Sequence, residues 1–360
     1  MCNVSLKRRA GFTARNVFVQ ILRCERYIIN SMQNTQKISV IGAGAWGTAL
    51  AMVLSTKHAP ITLWCNRQEI ELSINTYHKN PAYLGEIVLP ETLYATHKLS
   101  DVCNSDVLVL ATPSQFVPPI VESLVGALSS ETVIILASKG LATDNATLLS
   151  DVVATALPNN HVCVLTGPSF AKEVAQKQPT AVVLAAQNLE AERLFAIATL
   201  FATPAFTVHT SRDAIGAQVG GIVKNVIAIA CGMAAGLGAG ENMKAALVTK
   251  GFAEMVALGL ALGAARETLE GLAGLGDLLL TATSTSSRNY SYGFTLASAQ
   301  AVGGELAAAK RFVVEGAVNA LTLQRLASRH NVVMPLCALV AGVVQGKLAP
   351  QKFLQDIKAF

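Results

Sequence analysis

The chain has 360 residues, 14% of them charged and 52% hydrophobic, and a formal net charge of +5. That length suits two domains with large apolar cores. The modest charge, with no dense Lys/Arg stripe, argues against nucleic acid and toward small anionic ligands. Seven cysteines, at 2, 24, 65, 103, 163, 231 and 337, form no C-x-x-C pair and no Cys/His metal spacing. Reduced, mostly buried thiols in a cytoplasmic protein are therefore expected, and no metal site.

Residues 1–31 carry Lys7, Arg8, Arg9, Arg15, Arg23 and Arg26 against a single acid, Glu25. The composition is like that of a transit peptide. Met32 just before the first strand makes an over-long start or a disordered tail the plainer reading. This tail is set apart from the fold.

The β-branched run Ile38-Ser39-Val40-Ile41 stops at Gly42, and an Ala/Leu-rich helical run begins at Thr48. Between them lies Gly42-x-Gly44-x-x-Gly47. In a strand–turn–helix setting the first glycine permits the tight turn. The second lets the backbone approach a pyrophosphate, and the third lets helix and strand pack closely. The unpaired N–H groups at the start of the helix suit an anion. A dinucleotide site is expected here.

Ile61-Thr62-Leu63-Trp64 reads as a second strand, and residues 67–78 as a helix broken by Asn80-Pro81. Three apolar runs follow, each ending in small polar residues with Gly or Pro. Val107 to Leu110 ends at Ala111-Thr112-Pro113-Ser114, Val133 to Leu136 at Ala137-Ser138-Lys139-Gly140, and Val162 to Leu165 at Thr166-Gly167-Pro168-Ser169. Continuous apolar strands between helical segments predict a parallel sheet covered on both faces. Ligands of such sheets bind beyond the carboxyl ends of the strands. Ala181 to Ala185 and Ala205 to Val208 are two further strands, read as antiparallel additions.

From about Arg212 the texture becomes helical, over 213–265, 294–309, 315–330 and 335–358. The predicted fold is α/β: a tail at 1–31, a Rossmann-type doubly wound dinucleotide-binding domain over 32–210, and an all-helical substrate and catalytic domain over 211–360. The most apolar stretch, Val226 to Gly240, has 15 residues, fewer than the ~20 that a membrane span needs. A buried helix, and no integral membrane segment, is expected.

Asp213 to Met233 reads as one long helix on which Gly216, Gly220 and Lys224 share a face. Burial among Ile222, Val223, Val226 and Ile227 would favour a neutral amine, the base that alcohol oxidation by hydride transfer needs. A lysine that snorkels to the surface is the competing reading. Asp277, in Gly274-Leu275-Gly276-Asp277-Leu278, could cap a helix or orient a hydroxyl or the lysine. Thr283-Ser284-Thr285-Ser286-Ser287-Arg288-Asn289 has the chemistry of a phosphate clamp, with a solvated polar loop as the alternative.

Seven segments in order resemble the bacterial type of NAD(P)-dependent sn-glycerol-3-phosphate dehydrogenase. They are Gly42 to Ala51, Ser138 to Leu141, Gly167 to Glu173, Gly221 to Ala228, Gly271 to Leu278, Ser287-Arg288-Asn289 and Val313 to Gly316. The resemblance implies reversible reduction of dihydroxyacetone phosphate to sn-glycerol 3-phosphate, feeding glycerophospholipid synthesis. It makes Lys224 the general acid/base. Lys139, Gly167, Ser169, Asp277, Ser287, Arg288 and Asn289 would hold the substrate, with Lys139 and Arg288 also near the cofactor. Ala45, Trp46, Ala171, Val313 and Glu315 would contact the dinucleotide. An acid that would favour NAD is missing after the second strand. Asn66 and Arg67 stand there instead and could accept a 2′-phosphate, so NADPH is expected, with NADH possible.

The alternatives are a β-hydroxyacid dehydrogenase of the same layout and a non-catalytic dinucleotide-sensing module. The expected partner is a small phosphorylated substrate, and a homodimer is possible.

Overall fold

A computed structural model describes residues 36–301 and 314–357. The tail at 1–31, Val313 and the end of the helical stretch at 294–309 lie outside the described residues.

The strands are β1 (Ile38–Ile41), β2 (Ile61–Trp64), β3 (Leu93–Thr96), β4 (Val107–Leu110), β5 (Val133–Leu136), β6 (Leu141–Ala142), β7 (Thr147–Leu148), β8 (Val162–Thr166), β9 (Thr180–Ala185) and β10 (Phe206–Ser211). Eight of them form one sheet in the order β10-β9-β8-β5-β4-β1-β2-β3, and β6 and β7 form a separate hairpin. β9 is antiparallel to β8, and β10 is parallel to β9. The two expected antiparallel additions thus run together, opposite to the other six strands of the sheet.

Side chains of a strand alternate between the two faces, and here both faces are covered. Val107 and Val109 of β4 enter one apolar cluster while Leu108 and Leu110 enter another. The unbroken apolar runs seen in the sequence follow from this double burial. The sheet unit carries α1 (Ala45–Ser55), α2 (Gln68–Tyr77), α3 (Pro81–Leu84), α4 (Val117–Leu124), α5 (Leu149–Ala156), α6 (Ala171–Ala175) and α7 (Ala191–Phe201).

After Ser211 the described residues contain helices only. They are α8 (Ala214–Gly236), α9 (Glu241–Ala261), α10 (Arg266–Glu270), α11 (Asp277–Thr283), α12 (Arg288–Ala301), α13 (Glu315–Arg329), α14 (Pro335–Val344) and α15 (Pro350–Ile357), with a π-helical turn at Leu272–Gly276. α8 is the axis of this unit, packed by α9, α11, α12, α13 and α14. Its 23 residues are long and apolar enough to cross a membrane, but 89% of the apolar window is buried inside the fold. The expected core helix is present, and its burial rather than a short length marks it as one.

Candidate active site

The glycine turn is built as its spacing requires. Gly42 ends β1 with φ +114, and a Cβ there would lie 2.9 Å from the Ala111 carbonyl. A Cβ on Gly47 would lie 1.9 Å from the oxygen of Gly42. Both positions are closed to side chains by backbone. Gly44 differs, since nothing lies within 4 Å of its Cβ direction. The first and third glycines serve packing, and the middle one faces open space at the start of α1. Ala45 and Trp46 form the first turn of that helix.

The register places the end of β2 beside this turn. Ile41 pairs with Trp64, and the Gly42 amide donates to the Trp64 carbonyl at 3.0 Å. Asn66 and Arg67, both exposed, follow directly. Arg67 donates to the Tyr83 hydroxyl at 3.0 Å and lies 3.7 Å from a carboxylate oxygen of Glu69.

A cluster of charged side chains lies at the neighbouring strand ends. Lys139, in the loop after β5, places Nζ 2.7 Å from Asp277 Oδ2 and 3.4 Å from the carbonyl of Gly167. Lys224, in the middle of α8, places Nζ 2.6 Å from Asp277 Oδ1 and 2.8 Å from Thr281 Oγ1. One carboxylate therefore bridges two ammonium groups. Asp277 is 1% exposed and Lys224 6%, which rules out the snorkelling lysine. Nor is Asp277 a side-chain cap: Gly276 is the N-cap of α11, without a side-chain bond. Both carboxylate oxygens of Asp277 face lysines instead.

Burial pushes the Lys224 ammonium down to about 8; Asp277 raises it and Lys139 lowers it. Burial alone would push the Asp277 carboxyl up, but Lys139 and Lys224 together outweigh it and hold the carboxyl below the usual range. A lysine near neutrality against a carboxylate that stays ionised can take and return a proton.

Close helix contact makes this geometry. A Cβ on Gly220 would lie 2.2 Å from the Ala273 carbonyl oxygen. The bare face of α8 thus admits the π-helical turn, which delivers Asp277 to Lys224. Such turns recur at functional sites.

The polar segment is a short, partly exposed turn over 284–287 that leads into a helix start at Arg288 and Asn289. Ser287 Oγ accepts from the Tyr290 amide at 3.3 Å and so caps α12, whose first residues are Arg288 and Asn289. Arg288 is exposed. Asn289 is already engaged, donating to Asn225 Oδ1 at 2.9 Å and accepting from the Gly316 amide at 3.0 Å. Glu315, the first residue of α13, is half-buried; burial pushes its carboxyl up, and Arg288, Lys139 and Lys224 pull it partway back. Gly167 has φ +139, Ser169 donates to the Gly167 carbonyl at 2.9 Å, and Ala171 opens α6. Lys172 is exposed.

Four buried polar atoms around these loops lack a partner among the described residues: Trp46 Nε1, Thr112 Oγ1, Thr166 Oγ1 and Asn319 Oδ1. Buried polar groups are normally satisfied. Together with the open face of Gly44, these atoms fit a dinucleotide and a polar substrate.

Asn225, Thr281, Thr112, Thr166 and Asn319 had no individual role in the sequence. Thr112 and Thr166 lie in two of the strand ends expected to carry ligand loops, and Thr281 stands one helical turn after Asp277.

A Rossmann-type sheet with an open glycine turn, completed by a buried lysine–carboxylate–lysine chain from a helical unit, defines a class: the pyridine-nucleotide-dependent oxidoreductases with a helical second domain. Comparison with known proteins narrows it. The family model for the NAD-dependent glycerol-3-phosphate dehydrogenase N-terminus matches residues 37–192, and that for the C-terminus matches 213–355. The glycerol-3-phosphate dehydrogenase (NAD(P)+) of Zymomonas mobilis is 43% identical over 311 residues, 86% of this chain and 89% of that protein. Its counterpart in Erythrobacter litoralis is 43% identical over 313 residues, 87% and 93% of the two chains. The crystal structure of the Coxiella burnetii glycerol-3-phosphate dehydrogenase superposes with a TM-score of 0.85 at 35% identity, over 91% of this chain and 99% of that one. The chain belongs to the NAD-dependent glycerol-3-phosphate dehydrogenase family.

Proposed function

We propose that the chain reduces dihydroxyacetone phosphate to sn-glycerol 3-phosphate, reversibly, with NADPH as the preferred reductant and NADH as an alternative. Residues 32–210 hold the dinucleotide, and 211–360 supply the acid/base and most of the substrate contacts. The observation that carries this reading is the Lys139–Asp277–Lys224 chain beside the strand ends, with Asp277 and Lys224 buried and Lys139 partly so.

The nicotinamide, when bound, supplies the hydride. Lys224 Nζ donates a proton to the carbonyl oxygen as negative charge develops there, and recovers one from the hydroxyl in the reverse direction. Asp277 and Thr281 fix the direction of that amine. Asp277 also holds Lys139 in place as a cation for the substrate. Arg288 and Lys139 offset the phosphate charge, and Ser287 and Asn289 order the start of α12 around it. Gly42, Gly44, Gly47, Ala45, Trp46 and Ala171 would line the dinucleotide, with Glu315 at the nicotinamide side and Asn66 and Arg67 at the ribose.

The product is a glycerophospholipid backbone, and we place the reaction in the cytoplasm, where the free thiols of Cys65, Cys163, Cys231 and Cys337 stay reduced. A homodimer belongs to the same reading, and sedimentation as a monomer would remove it.

A steady-state assay with dihydroxyacetone phosphate and either reduced nicotinamide tests the proposal. Turnover with that substrate, and none of 3-hydroxy acids with the oxidised nicotinamides, is expected; the opposite preference would favour a β-hydroxyacid dehydrogenase. Lys224→Ala should abolish turnover while leaving NADPH affinity nearly intact. Retention of most activity would falsify the acid/base role, and a chain that binds NADPH but turns over no substrate would be a sensing module.

A further inference from the structure

The Asn80-Pro81 break after α2 has a second feature. Asn80 is 1% exposed, and its amide nitrogen donates to the Ala43 carbonyl at 2.9 Å and to Thr48 Oγ1 at 2.9 Å. Both amide hydrogens of one side chain are thus spent on the glycine turn, one at its middle and one at the first turn of α1. Three residues on, Tyr83 accepts from Arg67 Nη2 at 3.0 Å, and its ring centroid lies 5.8 Å from the guanidinium carbon. A short segment, the N-cap of α3 and its third residue, touches both ends of the candidate nucleotide site.

The peptide plane gives this contact a consequence. A trans peptide holds C=O and N–H antiparallel. Tying the Ala43 carbonyl inward to Asn80 therefore turns the Gly44 N–H away from Asn80. Gly44 is also the turn position with nothing within 4 Å of its Cβ direction. Tyr83 acts on the other end. Arg67 is a long exposed side chain with a carboxylate, Glu69, at 3.7 Å. A hydroxyl acceptor and an aromatic face restrict where its guanidinium rests.

We propose that Asn80 and Tyr83 are positioning residues of the nucleotide site: Asn80 aims the Gly44 amide of the pyrophosphate turn, and Tyr83 holds Arg67 where a 2′-phosphate selects NADPH over NADH. The proposal rests on the dinucleotide reading given above. The two roles carry different signatures. The pyrophosphate is common to both nicotinamides, so Asn80 governs affinity for both alike. Only NADPH carries the 2′-phosphate, so Tyr83 governs the ratio.

Calorimetric titration of the full chain with NADPH, NADH, 2′,5′-ADP and AMP reads both. Asn80→Asp keeps the shape and removes both donors. It should raise Kd for NADPH and NADH about tenfold each and leave their ratio unchanged. Tyr83→Phe keeps the ring and removes the acceptor. It should raise Kd for NADPH and 2′,5′-ADP about three- to tenfold and leave NADH and AMP unmoved. Arg67→Ala should move the same pair further. A folded Asn80→Asp chain with unchanged Kd for both nicotinamides overturns the first role. A Tyr83→Phe chain with an unchanged ratio overturns the second, and its half-exposed site makes loss of folding no obstacle. An unaltered chain that binds neither nicotinamide overturns the dinucleotide reading and the proposal with it. Binding by the unaltered chain, with Kd unmoved in the variants, overturns the proposal alone.

Discussion

At the scale of single residues, the acid/base step predicts a pH signature. Lys224 titrates near 8, pushed there by burial. Reduction needs its protonated form, so kcat/KM for dihydroxyacetone phosphate should hold below that value and fall above it. Oxidation needs the neutral amine, so kcat/KM for glycerol 3-phosphate should rise through the same range and level off. Asp277 raises the Lys224 value and Lys139 lowers it, so Asp277→Asn should move both breaks to lower pH. Flat profiles on either side of 8 would remove Lys224 from proton transfer. Arg288 carries a separate prediction. A charge-assisted hydrogen bond contributes about 1.5–3 kcal/mol, so Arg288→Ala should raise the KM for dihydroxyacetone phosphate about 10- to 150-fold. An unchanged KM would move the phosphate elsewhere. Lys224 was legible in the sequence because a lysine inside an apolar helical run is itself a signal. Asp277 as an orienter of that lysine was one of three readings of its segment, and the further link through it to Lys139 was not legible. Asp277 lies 53 positions from Lys224 and 138 from Lys139, and only the fold brings such separations together.

At the scale of elements, the site depends on how closely α8 admits its neighbours. An alanine methyl at Gly220 would meet the Ala273 carbonyl oxygen at 2.2 Å, and backbone cannot step aside as a flexible side chain can. Gly220→Ala should cost about 1–3 kcal/mol of stability. It should also reduce kcat by a larger factor than KM rises, because the turn that carries Asp277 is displaced from Lys224. Wild-type kcat in a folded Gly220→Ala chain, checked by thermal melting and steady-state rates, would separate the turn from catalysis. The strands whose side chains are buried on both faces were readable from their apolar runs. β3 was not: Leu93-Tyr94-Ala95-Thr96 has Tyr94 half-exposed at 52% and is a strand through pairing with β2 at the sheet edge. The start of α12 was hidden for a related reason. Serine and threonine favour caps and turns as readily as loops, and the capping bond to Ser287 is visible only once the helix has formed.

At the scale of the whole molecule, the sheet unit and the helical unit are joined through the site itself. Lys139 of the sheet unit pairs with Asp277 of the helical unit, and its backbone carbonyl accepts from Asn319 of α13 at 3.3 Å. Gln218 of α8 and Ser150 of α5 exchange bonds of 2.8 and 3.1 Å, and Arg329 of α13 donates to the Ala146 carbonyl at 2.8 Å beside the β6–β7 hairpin. A ligand that fills the crevice should therefore stabilise both units together. NADPH at a hundredfold excess over its Kd adds about 2.7 kcal/mol to the folded state. Calorimetry should show one unfolding transition that moves up as a whole with NADPH. The Asp277→Asn chain removes the charge that ties the part-buried Lys139 of one unit to Lys224 of the other, so it should melt lower and separate into two transitions. Two transitions in the unaltered chain, with NADPH raising only one, would mean that the units fold independently and that the lysine–carboxylate–lysine chain does not couple them.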